Sequence, residues 1–161
     1  MRRQTIISFR LLLLLVAVLL GACSHGVVKR VSEPAASIQQ LTVKPDGTWQ
    51  LELRLQNYSS IPMRFDSIDL KATLADQEAG TLKLAPVLTI GPESADVVAL
   101  AVQPSSAARI VLADALAGRR SIGYRLEGTI AALPQDKKQR TFEIDSRNTL
   151  TPAPGLDGVL R

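Results

Sequence analysis

Trp49-Gln50-Leu51-Glu52-Leu53-Arg54-Leu55-Gln56 is the stretch that decides the fold, because apolar and polar side chains alternate strictly along it. Successive side chains of an extended strand point to opposite faces, so Trp49 and the three leucines would share one face. The period of this pattern is two residues, not the 3.6 of a helix. The stretch therefore predicts a β-strand with one buried face and one face in water.

The two-residue period recurs on both sides of this strand. Lys44-Pro45-Asp46-Gly47 is a turn signal, since Pro presets its own φ and Gly accepts a positive φ, and it predicts a hairpin that joins residues 38–43 to the Trp49 strand. Further strands are predicted at residues 68–74, 81–84, 95–102, 122–130 and 141–145. We expect a break at residues 76–80 and a polar loop at residues 131–140.

One segment has a helical period. Apolar side chains fall at i, i+3, i+4 and i+7, on Ala108, Val111, Leu112 and Ala115. Ser105 stands where an N-cap is expected and Gly118 where the helix would end. This pattern predicts one short amphipathic helix.

Together these elements predict an all-β protein, an immunoglobulin/fibronectin-III-like antiparallel β-sandwich of about seven strands with one short helix. The sandwich is expected over residues 37–148. A polar tether would precede it at residues 23–36, and a tail at residues 149–161, rich in Pro and Gly, would pack loosely or dangle.

The first 22 residues read as a targeting segment. Arg2, Arg3 and Arg10 supply positive charge, and an unbroken apolar run follows at residues 11–20. This run is shorter than the about 20 residues that a membrane-spanning helix needs. Residues 1–22 are therefore interpreted as a secretory signal peptide.

Leu20-Gly21-Ala22-Cys23 resembles the bacterial lipobox, in which an aliphatic residue and two small residues precede the cysteine that receives lipid. The resemblance implies cleavage before Cys23, a diacylglyceryl group on its sulfur and an N-acyl chain, which together anchor a protein stably. Ser24, in place of Asp, favours the periplasmic side of the outer membrane over the inner membrane. The alternative is an uncleaved signal anchor with a coincidental cysteine.

Composition excludes several function classes. Removal of the three arginines lowers the net charge from +4 to +1, and a chain so nearly neutral lacks the basic stripe that nucleic acid binding needs. Cys23 and His25 are the single cysteine and histidine, so an internal disulfide, a thiol-imidazole zinc site and a catalytic triad are not expected. We expect no cofactor beyond the covalent lipid, no metal and no catalytic residue.

Four patterns also resemble a known family. They are Leu51-x-Leu53-x-Leu55-x-Asn57, Ile61-Pro62, Ala79-Gly80 and Tyr124-x-Leu126-x-Gly128-x-Ile130. Their order is similar to the late embryogenesis abundant type 2 family, also called the water-stress and hypersensitive-response (WHy) domain. One departure is Tyr58, where members commonly have Pro. The resemblance implies a seven-stranded sandwich and an association with desiccation or stress tolerance, usually without catalysis.

Each candidate site residue has a structural alternative. Asn57 could contact a partner or close a turn with its own backbone, and Trp49 could stack on a ligand or pack in the core. Asp66 and Asp69 could bind a cation or lie solvated on the surface. The pair Glu127 and Asp145 could serve acid-base chemistry only if the two carboxylates meet. Two basic groups could contact lipid phosphates or be solvated loops: Arg119 with Arg120, and Lys137, Lys138 with Arg140.

Three functions remain open from the sequence. The first is a non-catalytic binding or structural module that contacts envelope or client proteins through sheet edges near residues 81–90. The second is a carrier that holds a lipid or another apolar molecule between the two sheets, which requires a cavity of hundreds of cubic ångströms. The third is a hydrolase with an unrecognised site.

Overall fold

The computed structural model describes residues 29–161, which form nine strands and one helix. In chain order these are β1 (Ala35–Val43), β2 (Trp49–Asn57), β3 (Met63–Leu74), β4 (Gln77–Leu84), β5 (Leu88–Ile90), β6 (Ser94–Val102), α1 (Ser106–Ala117), β7 (Ile122–Pro134), β8 (Arg140–Leu150) and β9 (Val159–Leu160). The expected all-β class is confirmed. The seven predicted strands are present, and the two additional ones, β5 and β9, are too short to show a period in the sequence.

The strands form two antiparallel sheets that bury their apolar faces between them. Sheet A has the order β6-β2-β1-β9, and sheet B has the order β4-β3-β7-β8 with β5 beside β3. Leu53 and Leu55 of sheet A, with Phe65, Leu70 and Leu126 of sheet B, are completely buried. Each such side chain contributes about 1.5–3 kcal/mol through removal from water, so alternation along the strands is what holds the sandwich together.

The predicted hairpin between β1 and β2 is confirmed. Val43 pairs with Trp49, and Gly47 has φ +83°, a left-handed conformation that favours glycine. The N–H of Gly47 donates to the carbonyl of Lys44 at 2.9 Å. Asp46 accepts a hydrogen bond from the N–H of Thr48 at 2.9 Å, so the turn residues close the turn themselves.

The sequence predictions for two irregular segments were wrong. The break expected at residues 76–80 is only a two-residue turn at Ala75 and Asp76, both of which have positive φ, and β4 begins at Gln77. A register shift in the β3–β4 ladder hid the strand, because it interrupts the alternation. The loop expected at residues 131–140 is a turn of five residues, since β7 continues to Pro134.

The predicted helix is confirmed, with one difference at its end. The hydroxyl of Ser105 accepts a hydrogen bond from the N–H of Ala108 at 3.1 Å, and Ala108, Leu112 and Ala115 are buried. Gly118 caps the helix in a right-handed conformation with φ −82°, whereas the left-handed residue is Arg119 at φ +50°. The chain therefore changes direction after α1 at Arg119.

The expectation that the tail packs loosely or dangles was wrong. Leu160 in β9 pairs with Leu41 of β1 and is completely buried. Thr151 and Arg161 exchange two backbone hydrogen bonds of 2.7 and 2.9 Å, which close the tail as a loop. Two paired residues after a stretch rich in Pro and Gly carry no period, so the sequence pattern could not predict this strand.

Strands β3 and β7 approach each other closely at Gly128. This residue has φ +146°, and a Cβ at this position would lie 2.2 Å from the carbonyl oxygen of Asp69. A side chain there would collide with the backbone of β3. The glycine in the Tyr124-x-Leu126-x-Gly128 pattern thus sets the spacing of the two central strands of sheet B.

Candidate functional site

The lipobox residues Leu20, Gly21, Ala22 and Cys23 lie outside the described residues, as does His25. Lipidation of Cys23 therefore stays a prediction. Within residues 29–161, no helix is both long and apolar enough to cross a bilayer.

Asn57 lies at the end of β2 and is completely buried. Its side-chain amide donates to the carbonyls of Ile61, Ile90 and Gly91 at 2.9, 3.2 and 2.9 Å, and its side-chain oxygen accepts from the N–H of Ser59 at 2.9 Å. The bond to Ser59 is that of an Asx turn. Asn57 has no surface with which to contact a partner, and its hydrogen bonds fix the loops around it.

The first described residues pack against these same loops. Ser32 and Ser59 exchange hydrogen bonds between the backbone of Ser32 and the Ser59 hydroxyl, and the Arg30 guanidinium reaches Glu93 at 3.2 Å. Lys29 forms a 2.7 Å salt bridge with Asp136 in the β7–β8 turn. We call this the tether end of the sandwich, comprising residues 29–34, 58–62, 91–93 and 135–140.

The contact between the first described residues and the sandwich changes the pKa of one carboxyl group. The hydrogen bond from Lys29, followed by its charge, holds the pKa of Asp136 below the ordinary value for Asp. The sequence indicated an unstructured tether up to residue 36. In the structure, the part from Lys29 onward is bound to the sandwich, and the hydrogen bonds are made largely by backbone atoms that carry no sequence signal.

The structure brings Glu127 and Asp145 together as a cross-strand pair on the outer face of sheet B. Both carboxylates contact Arg125, at 2.8 Å for Glu127 and at 2.7 and 2.8 Å for Asp145. The hydrogen bond from Arg125 lowers the pKa of Asp145. A general acid needs a raised pKa, so Asp145 does not fit that role, and the two carboxylates instead share one guanidinium.

Other exposed charges on the same face are paired across β3 and β4. Lys71 lies 2.9 Å from Glu78, and Lys83 lies 3.1 Å from Asp69. The hydrogen bond to Glu78 raises the pKa of Lys71. Solvent screens exposed pairs of this kind, so they keep the face solvated and locally neutral more than they stabilise it.

The structure gives each of the remaining candidates for ligand binding a structural role or a partner within the protein. Trp49 is buried in the core, in phase with Leu51 and Leu53. Asp66 binds Arg64 at 2.6 Å and Asp69 binds Lys83, so the two carboxylates have different cationic partners. Among residues 29–161, no group of three His, Cys, Asp or Glu side chains could hold a metal ion.

The two basic groups lie at opposite ends of the sandwich. Arg119 and Arg120 follow α1, and Arg120 forms a salt bridge with Asp114. Lys137, Lys138 and Arg140 are exposed in and beside the β7–β8 turn at the tether end. The groups therefore cannot form one continuous basic surface.

Between the sheets, the structure leaves little space for a ligand. The cavity there has a volume of about 10 Å³ and is lined by apolar residues that include Ile38, Leu51, Leu74 and Val102. This volume is on the scale of a single water molecule. A carrier would need hundreds of cubic ångströms, so the described residues do not support the carrier alternative.

β6 is a regular free edge of sheet A, and the sequence did not single it out as an edge. It pairs with β2 over nine consecutive positions, from Ser94 with Asn57 to Val102 with Trp49, without a register shift, and it has no strand on its other side. The N–H of Val97 donates to the carboxylate of Asp96 at 2.8 Å. Apolar composition indicated a strand here, but position in a sheet is set by pairing between distant segments.

Comparison with known proteins gives one family match. The family model for late embryogenesis abundant protein matches residues 52–148. That range runs from β2 to β8 and includes the Asn57 loops and Gly128. No curated protein matches the chain.

Solved structures show distant likenesses. A protein from Arabidopsis thaliana, determined in solution, is 14% identical, with 85% of this chain and 91% of that chain covered and a TM-score of 0.46. A crystal structure of a protein from Archaeoglobus fulgidus is 12% identical, with 74% and 97% covered and a TM-score of 0.40. At these scores the likenesses carry no conclusion about function.

Proposed function

Because the chain belongs to the late embryogenesis abundant family, type 2, we propose that it is a non-catalytic, membrane-anchored binding lipoprotein of the cell envelope that protects client proteins under desiccation or other stress. The observation that carries the binding role is the free edge of β6. The anchor is proposed from the Leu20-Gly21-Ala22-Cys23 pattern, and Ser24 favours the periplasmic side of the outer membrane.

The β6 edge suits an extended segment of a client protein. An edge strand exposes backbone N–H and C=O groups that can pair with another strand. Ala99 and Ala101 are exposed, and between Ala95 and Val102 the one charged side chain is Asp96. Proteins that avoid such pairing use lysines, prolines, bulges or short strands at their edges, and β6 has none of these among its nine residues.

Both edges of sheet B are protected by comparison, since β8 carries four charged side chains among its 11 residues and the β4 edge has further hindrances. The sequence placed the contact surface near residues 81–90, which in the structure belong to β4, β5 and their connection. This edge carries Lys83, a register shift in the β3–β4 ladder and Pro86, each of which hinders pairing with another strand. We therefore place client contact at β6.

The absence of catalysis is proposed from the chemistry of the charged groups. Glu127 and Asp145 share Arg125, and the lowered pKa of Asp145 makes it a weak base at neutral pH. Hydrogen bonds likewise lower the pKa of Asp46, from Thr48, and of Asp136, from Lys29. None of these three aspartates has the raised pKa that a general acid needs at neutral pH.

The anchor is tested by Cys23→Ser. Lipid can be attached only to the cysteine sulfur, so we expect this variant to accumulate as full-length precursor without incorporated acyl label. Ser24→Ala is the matched control and should be processed normally. A shortened Cys23→Ser product that still sediments with membranes would contradict the proposed anchor.

Client contact is tested by Ala99→Lys with Ala101→Lys, which places two charges on the β6 edge. The control is Ala107→Lys with Ala117→Lys, the same exchanges at exposed positions of α1. We expect the wild-type chain and the helix variant to limit aggregation of an enzyme that is dried and rehydrated, and the β6 variant to lose this activity. Equal protection by both variants would exclude β6 as the contact surface.

A further inference from the structure

The tether end is the part of the sandwich that the proposed anchor would hold nearest to the lipid. Six positions separate Cys23 from Lys29, a span of at most about 20 Å when fully extended. Lys29 is bound to Asp136, so this short span leads directly to the β7–β8 turn. The opposite end lies about 30 Å farther, since strands of nine residues rise about 3.3 Å per residue.

Charge at the tether end is net positive. It contains five basic residues, Lys29, Arg30, Lys137, Lys138 and Arg140, and three acidic ones, Glu33, Glu93 and Asp136, which leaves two net positive charges. Lys29 and Arg30 are used in salt bridges within the protein. No salt bridge or side-chain hydrogen bond joins Lys137, Lys138 or Arg140 to another residue of the described chain, so these three cations face solvent.

An amphipathic side chain accompanies these cations. Tyr58 is 52% exposed, while its backbone carbonyl accepts a hydrogen bond from Arg30 at 3.2 Å. The loop is thus held in place and presents the ring outward. Tyrosine is enriched where apolar and aqueous phases meet, because its ring is apolar and its hydroxyl polar.

We propose that the tether end is a membrane-contact surface, on which Lys137, Lys138 and Arg140 bind the headgroups of anionic phospholipids and Tyr58 sits at the interface. This inference rests on the proposed lipid anchor at Cys23. The charge attraction is effective within about 8 Å of the surface at physiological ionic strength, a distance that the short tether allows and that the opposite end cannot reach. The sandwich is then oriented with its tether end against the membrane.

The test uses the full chain, purified in its processed form and reconstituted into vesicles of phosphatidylcholine with or without phosphatidylglycerol. A fluorophore is attached at Gln139→Cys in the tether end or, as the control, at Asp157→Cys at the opposite end, and a lipid with a nitroxide headgroup quenches it. We expect stronger quenching at position 139, with a difference that grows with phosphatidylglycerol. It should shrink as salt rises from 0.1 M to about 1 M, where screening shortens to about 3 Å.

Substitutions that reverse charge test which basic residues contact the membrane. Each basic residue near an anionic surface raises affinity about fivefold, so Lys137→Glu with Lys138→Glu should lower the ratio of docked to undocked protein about 25-fold or more. Lys44→Glu with Arg119→Glu, the matched reversal at the opposite end, should leave quenching at position 139 unchanged. Equal quenching at both probe positions, or an equal effect of both reversals, would overturn the membrane-contact surface.

The same vesicles separate this inference from the anchor. Flotation with pure phosphatidylcholine vesicles measures the anchor alone, because no anionic lipid is present. A chain that floats but is quenched equally at both positions retains the anchor and lacks the contact surface. A processed chain that fails to float with either vesicle contradicts the anchor, and the inference that rests on it.

Discussion

The hydroxyl of Tyr124 in β7 accepts a hydrogen bond from the backbone N–H of Ile38 in β1, with 2.9 Å between oxygen and nitrogen. This bond joins sheet B to sheet A through the core. It falls where the β1–β2 ladder shifts register, between Ile38 and Gln40. A polar link at this point satisfies a buried N–H next to an interruption of the regular pairing.

Tyr124→Phe should destabilise the fold by about 1–3 kcal/mol, because the N–H of Ile38 would remain buried without its partner. Urea unfolding followed by Trp49 fluorescence measures the change in the free energy of unfolding. Tyr58→Phe is the control, since that ring is largely exposed and its change should stay within about 0.5 kcal/mol. Equal effects at both positions would mean that the cross-sheet bond adds nothing.

Burial also raises the pKa of Tyr124 above the ordinary value for tyrosine. The unfolded chain ionises first as the pH rises, so the stability contributed by neutral Tyr124 is complete below about pH 10 and is lost above it. We expect the free energy of unfolding to fall more steeply in this alkaline range for the wild type than for Tyr124→Phe. Parallel pH profiles would contradict this assignment.

Gly128→Ala should destabilise the sandwich by about 3 kcal/mol or more. Strained backbone at φ +146° costs about 1–3 kcal/mol for a residue with a side chain, and overpacking against Asp69 adds about 1–3 kcal/mol. Gly123→Ala in the same strand is the matched control, because the nearest atom to its added Cβ is 4.0 Å away. Thermal unfolding of the two variants should separate them clearly.

Removal of the shared guanidinium should change the titration of its neighbour. In Arg125→Leu we expect the pKa of Asp145 to rise, since its lowering comes first from the hydrogen bond of Arg125. A lowered carboxyl pKa contributes stability above the unfolded value, and this is lost as the pH falls through the folded one. Carboxyl NMR titration measures the shift, and Lys83→Leu, which removes the partner of Asp69, should leave Asp145 unchanged.

Asn57→Ala should cost at least about 3 kcal/mol, because it leaves the Ser59 N–H and three carbonyl oxygens without their partner. Asn57→Asp keeps the acceptor for Ser59 but sets a carboxylate against the three carbonyls. The introduced carboxyl would therefore have a raised pKa, and this variant should regain stability as the pH falls. Gln139→Glu in the exposed turn at the same end should show no such recovery.

Most of the strands could be predicted from the alternation of apolar and polar side chains along the sequence. The wrong predictions fell where this alternation is interrupted. Trp49, Leu51, Leu53 and Leu55 are all buried, because β2 pairs without a break on its β6 side. The β3–β4 ladder shifts register between Ala72 and Thr73, and the sequence showed a break in place of that strand. After a bulge, the later side chains of the strand point to the opposite faces from those that a two-residue period predicts. A search for a fixed period therefore misses the strand beyond the bulge.

The candidate sites were predictable to a smaller extent, because they depend on contacts between distant segments. The Asx-turn alternative for Asn57 is a local bond to Ser59, whereas the carbonyls of Ile90 and Gly91 come from another part of the chain. In the same way, the meeting of Glu127 and Asp145 depends on the register of β7 with β8. Residue type indicates what a side chain can do, while topology decides which partner it meets.

The pairing of β9 with β1 also bears on how the protein folds. Gln40 and Arg161, whose side chains bond beside these strands, are 121 positions apart. Contacts between segments so distant in the chain form slowly, since a long loop must close first. Until β9 arrives, one side of β1 would stay open to aggregation, so a chaperone that shields this newly synthesised segment would raise the yield of native protein.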